Sequence, residues 1–180
     1  MHLAEKQLVS RPVAIRRMLK PLRGSTEVAC DFARTPGVGT RVIAAHDGGV
    51  LANAHYRDWR FRTRCGLIHA QYHEVWRDRG SGLEFSWERG YLHLYRRESP
   101  AELKPIVALH CDPLDESGYK RGPHVHVIAS EQPLPHCHFA LNLGELEEVL
   151  ASAPSLTAAL GRAVRLLNDE VVEAHVTMHA

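Results

Sequence analysis

The chain has 180 residues, 44% hydrophobic and 24% charged, which fits one globular domain large enough to bury a core. Its 22 Lys and Arg balance 21 Asp and Glu, so no chain-wide charge draws it toward nucleic acid or a membrane, although a local basic patch is allowed. No apolar run reaches the ~18 residues of a membrane span. The first eight residues lack the apolar segment of a secretion signal. Cys30, Cys65, Cys111 and Cys137 are scattered, without a Cys-x-x-Cys pair, and suit reduced thiols in a soluble cytoplasmic protein.

Residues 1–24 read as an N-terminal basic arm or helix preceding a single α+β domain over 25–180. Pro12 suits a first helical turn, and Pro21 with Gly24 ends the segment. Val42 to Ala45 and Val50 to Ala52 flank Asp47-Gly48-Gly49, which predicts a hairpin. Between Arg57 and Arg79, Leu67, Ile68, Gln71, Tyr72, Val75 and Trp76 recur at helical spacing, but the aromatic content suits strands curling around the core. Leu83 to Trp87 and Tyr91 to Tyr95 alternate around Glu88-Arg89-Gly90, a second hairpin signal.

Pro105 to Cys111 is a short apolar strand stopped by Asp112-Pro113, and a polar loop runs from Asp115 to Gly122. Two more strands follow, His124 to Ile128 and His136 to Leu141, around a loop containing Pro133 and Pro135. Asn142 can cap a short helix with Leu146, Val149 and Leu150 on its apolar stripe. Ser155 can cap a second, whose apolar face is Leu156, Leu160, Ala163, Leu167 and Val171. The expected fold is α+β: a curved antiparallel sheet of hairpins and meander, with two C-terminal helices packed on one side.

Histidine is the unusual residue, 13 in the chain and unevenly placed. Side chains alternate across a strand, so His124 and His126 share a face, as do His136 and His138. Pairing 126 with 136 and 124 with 138 gathers all four imidazoles on one side and puts Val125, Val127, Cys137 and Phe139 on the other, buried side. Crowded imidazoles depress one another's pKa. A divalent transition metal (Zn, Mn, Ni or Fe) relieves that crowding, as does an anionic substrate such as a phosphate. Partial burial with ordinary hydrogen bonds is a third, purely structural arrangement. The four histidines are thus the candidate catalytic and metal-binding residues. Lys120 and Arg121, just before the first pair, are candidates to meet a phosphate, with a solvated loop as the alternative.

His110, Cys111 and Asp112 end the preceding strand and would reach the cluster if that strand is its neighbour; otherwise His110 or Cys111 belongs to the core. His175-Val-Thr looks like one His-x-Thr motif of two-histidine phosphoesterases, but it follows a long helix where that fold requires a strand.

Gly122-Pro-His-Val-His126, followed by a strand and a Leu-Glu-Glu helix, resembles small bacterial toxins of toxin–antitoxin pairs, which carry a Gly-x-His-x-His-like motif after a curved antiparallel sheet. The resemblance spans about Leu92 to Leu150. It implies a nuclease-like activity centred on His124 and His126, with a protein antitoxin as partner. Pro123 and the second pair, His136 and His138, depart from that pattern. Together these features lead to the expectation of a histidine-centred phosphodiesterase or nuclease acting on nucleic acid or a nucleotide, either metal-dependent or using two histidines as general acid and base. The competing expectation is a non-catalytic binding protein that uses the hairpin for a metal or a partner and the helices for docking, the partner being another protein or a second copy in a homodimer.

Overall fold

The computed structural model describes residues 1–24, 28–33, 39–48, 54–115, 118–128 and 137–178. Among these, nine strands form one curved, open antiparallel sheet: β1 (His2–Ala4), β2 (Ala29–Ala33), β3 (Thr40–His46), β4 (Phe61–Arg62), β5 (Ile68–Asp78), β6 (Glu84–Ser99), β7 (Glu102–Cys111), β8 (His124–Val127) and β9 (Cys137–Ala140). The order is β2-β3-β5-β6-β7-β8-β9, with β1 paired to β6 and β4 to β5. The helices are α1 (Glu5–Arg23), α2 (Gly118–Arg121), α3 (Leu146–Leu150), α4 (Ala153–Leu167) and α5 (Ala174–Met178), the last two joined by a π-helical turn at Asn168–Glu173. The fold is α+β, as the sequence predicts. No helix among the described residues is long and apolar enough to cross a membrane.

One face of the sheet is apolar, and α1 and α4 pack on it. Leu8, Ile15, Leu19 and Leu22 of α1 meet Leu156, Leu160 and Val164 of α4 and Ile43, Tyr72, Trp76, Leu92, Leu94 and Leu109 of the sheet. The N-terminal segment is therefore built into the core. Its apolar stripe begins at Leu8, so α1 starts at Glu5, where the Gln7 side chain accepts the Ala4 N–H, and Pro12 lies inside the helix, not in its first turn. Pro21 lies inside as well; Gly24, at φ 75°, ends the helix.

Several local expectations change. β3 pairs with β2 on one edge and β5 on the other, and Val50 to Ala52, its expected hairpin partner, lie outside the described residues. Glu88-Arg89-Gly90 is not a turn. β6 runs unbroken for 16 residues, and its apolar phase slips instead: Phe85 and Trp87 face the helices, then Gly90, Leu92 and Leu94 do. A β-bulge absorbs the extra residue, with Val75 opposite Arg89 but Trp76 opposite Trp87. Gly90 suits this position, because a Cβ would stand 3.0 Å from the Trp87 ring and crowd it. At the C-terminus, Glu145 (not Asn142) occupies the cap position of α3. Ser152 caps α4 by accepting the Ser155 N–H at 3.2 Å, leaving Ser155 inside the helix.

A buried ion pair fastens the layers. Arg11 of α1 is 3% exposed and Glu74 of β5 is fully buried. Arg11 Nε and a terminal nitrogen donate to the two Glu74 oxygens at 2.9 and 2.6 Å. Tyr72 Oη and Trp76 Nε1 donate to the same carboxylate, at 2.6 and 3.2 Å, and Arg11 also donates to Thr157 Oγ1 of α4. Burial works against the Arg11 charge, but Glu74 outweighs it and holds the guanidinium above its usual pKa. Arg11→Met strands a buried carboxylate and is expected to cost about 3–5 kcal/mol in urea denaturation. Arg11→Met combined with Glu74→Leu should cost less than the sum of the single changes.

Candidate functional site

The opposite face of the sheet carries imidazoles and phenols instead of aliphatic groups. In β5, β6, β7, β8 and β9 the alternate positions on this face hold His73, then Tyr91, His93 and Tyr95, then His110, then His124 and His126, then His138. Strand pairing sets them side by side: His73 opposite Tyr91, Tyr91 opposite His110, His110 opposite His124, and His126 opposite His138. The rings form a continuous ladder, with centroid separations of 5.4 Å for His73–Tyr91, 4.1 Å for Tyr91–His110, 4.1 Å for His110–His126 and 3.8 Å for His126–His138.

His124, His126 and His138 share this face as expected, but in a different register. His138 stands opposite His126, and Ala140 opposite His124. The shift is two residues, which preserves the face of every side chain. His136 lies outside the described residues. The apolar backing is thinner than expected: Val125 is buried, whereas Val127 and Phe139 are 44% and 55% exposed and Cys137 is also exposed, because the core does not extend beneath the sheet's edge.

His110 joins the cluster, since β7 is indeed the neighbour of β8, while Cys111 turns into the core. The candidate ligand nitrogens of His110, His124 and His126 all lie within 4.8 Å of one another, so these three can hold a metal ion. Lys120 and Arg121, in α2 just before β8, have partners of their own. Lys120 lies 3.9 Å from Asp115, and Arg121 Nε donates to the Pro113 carbonyl at 3.3 Å. His175 lies in α5, its Nδ1 2.7 Å from the Val171 carbonyl, so His-x-Thr here is a helical feature.

Hydrogen bonds fix where the protons are. His124 Nδ1 is 2.9 Å from the Gly122 carbonyl, which only accepts, so Nδ1 carries the proton and Nε2 the lone pair of the neutral ring. A longer chain orients His110. Gln71 Nε2 donates to the Arg57 carbonyl, so Gln71 Oε1 accepts from Tyr95 Oη at 3.1 Å. Tyr95 Oη then accepts from His93 Nδ1 at 3.2 Å, which leaves His93 Nε2 to accept from His110 Nε2 at 2.8 Å. The lone pair of His110 is consequently on Nδ1.

Burial keeps His110 and His93 neutral. It lowers the His110 pKa to about 2, with His126, His93 and His124 adding to the effect, and lowers that of His93 as well. Tyr91, stacked on His110, donates to Asp112, whose own pKa is raised by burial. Beside the cluster is a cavity of about 400 Å3 lined by His93, Arg57 and Arg89 among others.

Comparison of the chain with protein-family models, curated proteins and solved structures finds no match.

His73, His93, Tyr91, Tyr95, Arg57 and Arg89 are not among the site residues expected from the sequence. A signal exists for some of them: Tyr91-x-His93-x-Tyr95 repeats every second residue, the same period that singles out the His-x-His pairs. Replacing His93 by Phe removes the acceptor that holds His110 and should weaken metal binding about 10–100-fold, measured by competition with a chelating dye.

His73 supplies a test of pH. Burial first, then His93 and Arg89 on β6 and Arg57 and His55 beside it, lower its pKa from 6.5 to about 3. The unfolded chain therefore binds this proton first, and His73 favours folding above pH ~6.5, an advantage lost as pH falls toward 3. The melting temperature of the metal-free protein should fall between pH 7 and 4, and less steeply in His73→Phe.

Proposed function

We propose that the chain is a metal-dependent phosphodiesterase, a nuclease acting on nucleic acid or a nucleotide in the bacterial cytoplasm. The carrying observation is the set of three converging imidazoles, His110, His124 and His126, next to a cavity lined by two arginines. A three-histidine set matches catalytic metal centres, which keep a coordination position open. Among Zn, Mn, Ni and Fe, imidazole donors favour Zn, Ni and Fe over Mn. A divalent ion bound there supplies Lewis-acid activation of water and of a phosphoryl oxygen.

The chain's own groups do the rest. The Gly122 carbonyl and the Gln71–Tyr95–His93 relay hold the ligand tautomers. Arg57 and Arg89 draw the anionic substrate to the face. Tyr91, held by Asp112, screens the His110 side of the cluster. The resemblance to toxins of toxin–antitoxin pairs would add a protein antitoxin as partner.

A second reading has its own observation. His138 lies against His126 and 5.9 Å from His124 by ring centroids, so a fourth imidazole can close the shell, while Val127 and Phe139 stand exposed on the sheet's other side. A closed shell beside an apolar surface describes a metal-holding partner protein or homodimer.

The two readings separate by experiment. One equivalent of metal should bind per chain, and X-ray absorption should find three imidazoles with water in the remaining position. Chelation, or the double change His124→Ala with His126→Ala, should abolish hydrolysis of a phosphodiester substrate, with circular dichroism reporting the fold. Hydrolysis that survives both treatments defeats the metal-dependent reading, and four imidazoles without water favours the binding protein.

A further inference from the structure

The cavity beside the histidine cluster has a composition of its own. Arg57 and Arg89 line it together with His73, His93, Tyr91 and Tyr95, and no carboxylate among the described residues does. Elsewhere Arg11, Arg77, Arg79 and Arg96 are each paired with a glutamate, but neither Arg57 nor Arg89 has a carboxylate partner among the described residues. In a chain whose charges nearly balance, two arginines lining one cavity, both acting electrostatically on His73, concentrate positive potential locally.

A second observation points the same way. His73 is 5% exposed and lines this cavity, yet its Nδ1 has no hydrogen-bond partner among the described residues. A buried ring nitrogen left in that condition costs stability unless a ligand or water reaches it. The remaining walls are the phenol rings of Tyr91 and Tyr95, and the volume of about 400 Å3 falls within the ordinary range of small-ligand sites.

We propose that this cavity seats a nucleoside monophosphate unit, its phosphate held by Arg57 and Arg89 and its base set against the rings of Tyr91 and Tyr95. Guanidinium forks match phosphate oxygens in pairs, and aromatic faces accept any base by stacking. The site names a substrate class for the phosphodiesterase proposed above and rests on that reading, but binding needs no turnover and is measured apart from it.

The test is calorimetric titration of the full chain, metal-free, with adenosine 5′-monophosphate, inorganic phosphate and adenosine. Saturable binding is expected for the nucleotide, with phosphate and adenosine each weaker by about tenfold or more. Arg57→Gln and Arg89→Gln should each weaken nucleotide binding about tenfold while leaving metal affinity and melting temperature near those of the parent, and Arg89→Lys should recover part of the loss. The His124→Ala, His126→Ala chain should lose metal but keep the nucleotide, so failure of the metal reading is seen separately. Absence of saturable nucleotide binding overturns the proposal, as does unchanged binding in both glutamine variants. Phosphate binding as tightly as the nucleotide overturns the nucleoside part and leaves a plain anion site.

Discussion

The Arg11–Glu74 pair is the constraint on which the two-sided sheet depends. A carboxylate with no exposure is tolerable only because it accepts from a guanidinium, a phenol and an indole at once. Those donors come from α1 and from Glu74's own strand, and Arg11 reaches on to α4 through Thr157. Locking Glu74 toward the helices sends its neighbour His73 to the opposite face, by strand alternation. Gly90 lies opposite Glu74 across β6, and the adjoining bulge brings Trp87 back under the helices while Tyr91 and His93 point away. The polar face is thus fixed from the apolar one.

Alternation is the part of this design that can be read from the sequence. His-x-His on two neighbouring strands indicates a shared face in every register of the same parity, since a slip of two residues returns each side chain to its own face. That is why the face expected for His124, His126 and His138 agrees with the structure although the pairing expected for them does not. Register depends on the turn between strands, and a long connection with two prolines lacks the short turn signature that would declare it. The Glu88-Arg89-Gly90 signal fails for a related reason. A phase reversal in apolar residues reads as a turn, and a bulge within one long strand produces the same reversal. His110 could not be assigned from sequence because its role depends on which strand neighbours β8. Arg57 lies just outside any periodic segment, so no pattern marks it.

The histidine face is costly to keep dry, and its hydrogen bonding reflects this. Gln71, Tyr95, His93 and His110 form a chain in which each donor has one acceptor, beginning at a backbone carbonyl that cannot reverse its polarity. That direction matters for an ion site, because a ligand nitrogen is useful only when its proton is held elsewhere. The two faces of the sheet therefore solve opposite problems with the same strands: one buries a charge by satisfying it fully, the other keeps several basic nitrogens uncharged.

The sequence separations of the two sites set an order of assembly. His110, His124 and His126 come from strands that follow one another in the chain, so hairpin formation alone can bring them together. Arg11 and Thr157, by contrast, are 146 residues apart, and that contact must await nearly the whole polypeptide. During synthesis from the N-terminus, the metal-capable strands emerge before the helix that completes the core. A nascent chain can therefore present its imidazoles before it is stably folded, and an ion captured at that stage would act as a folding template.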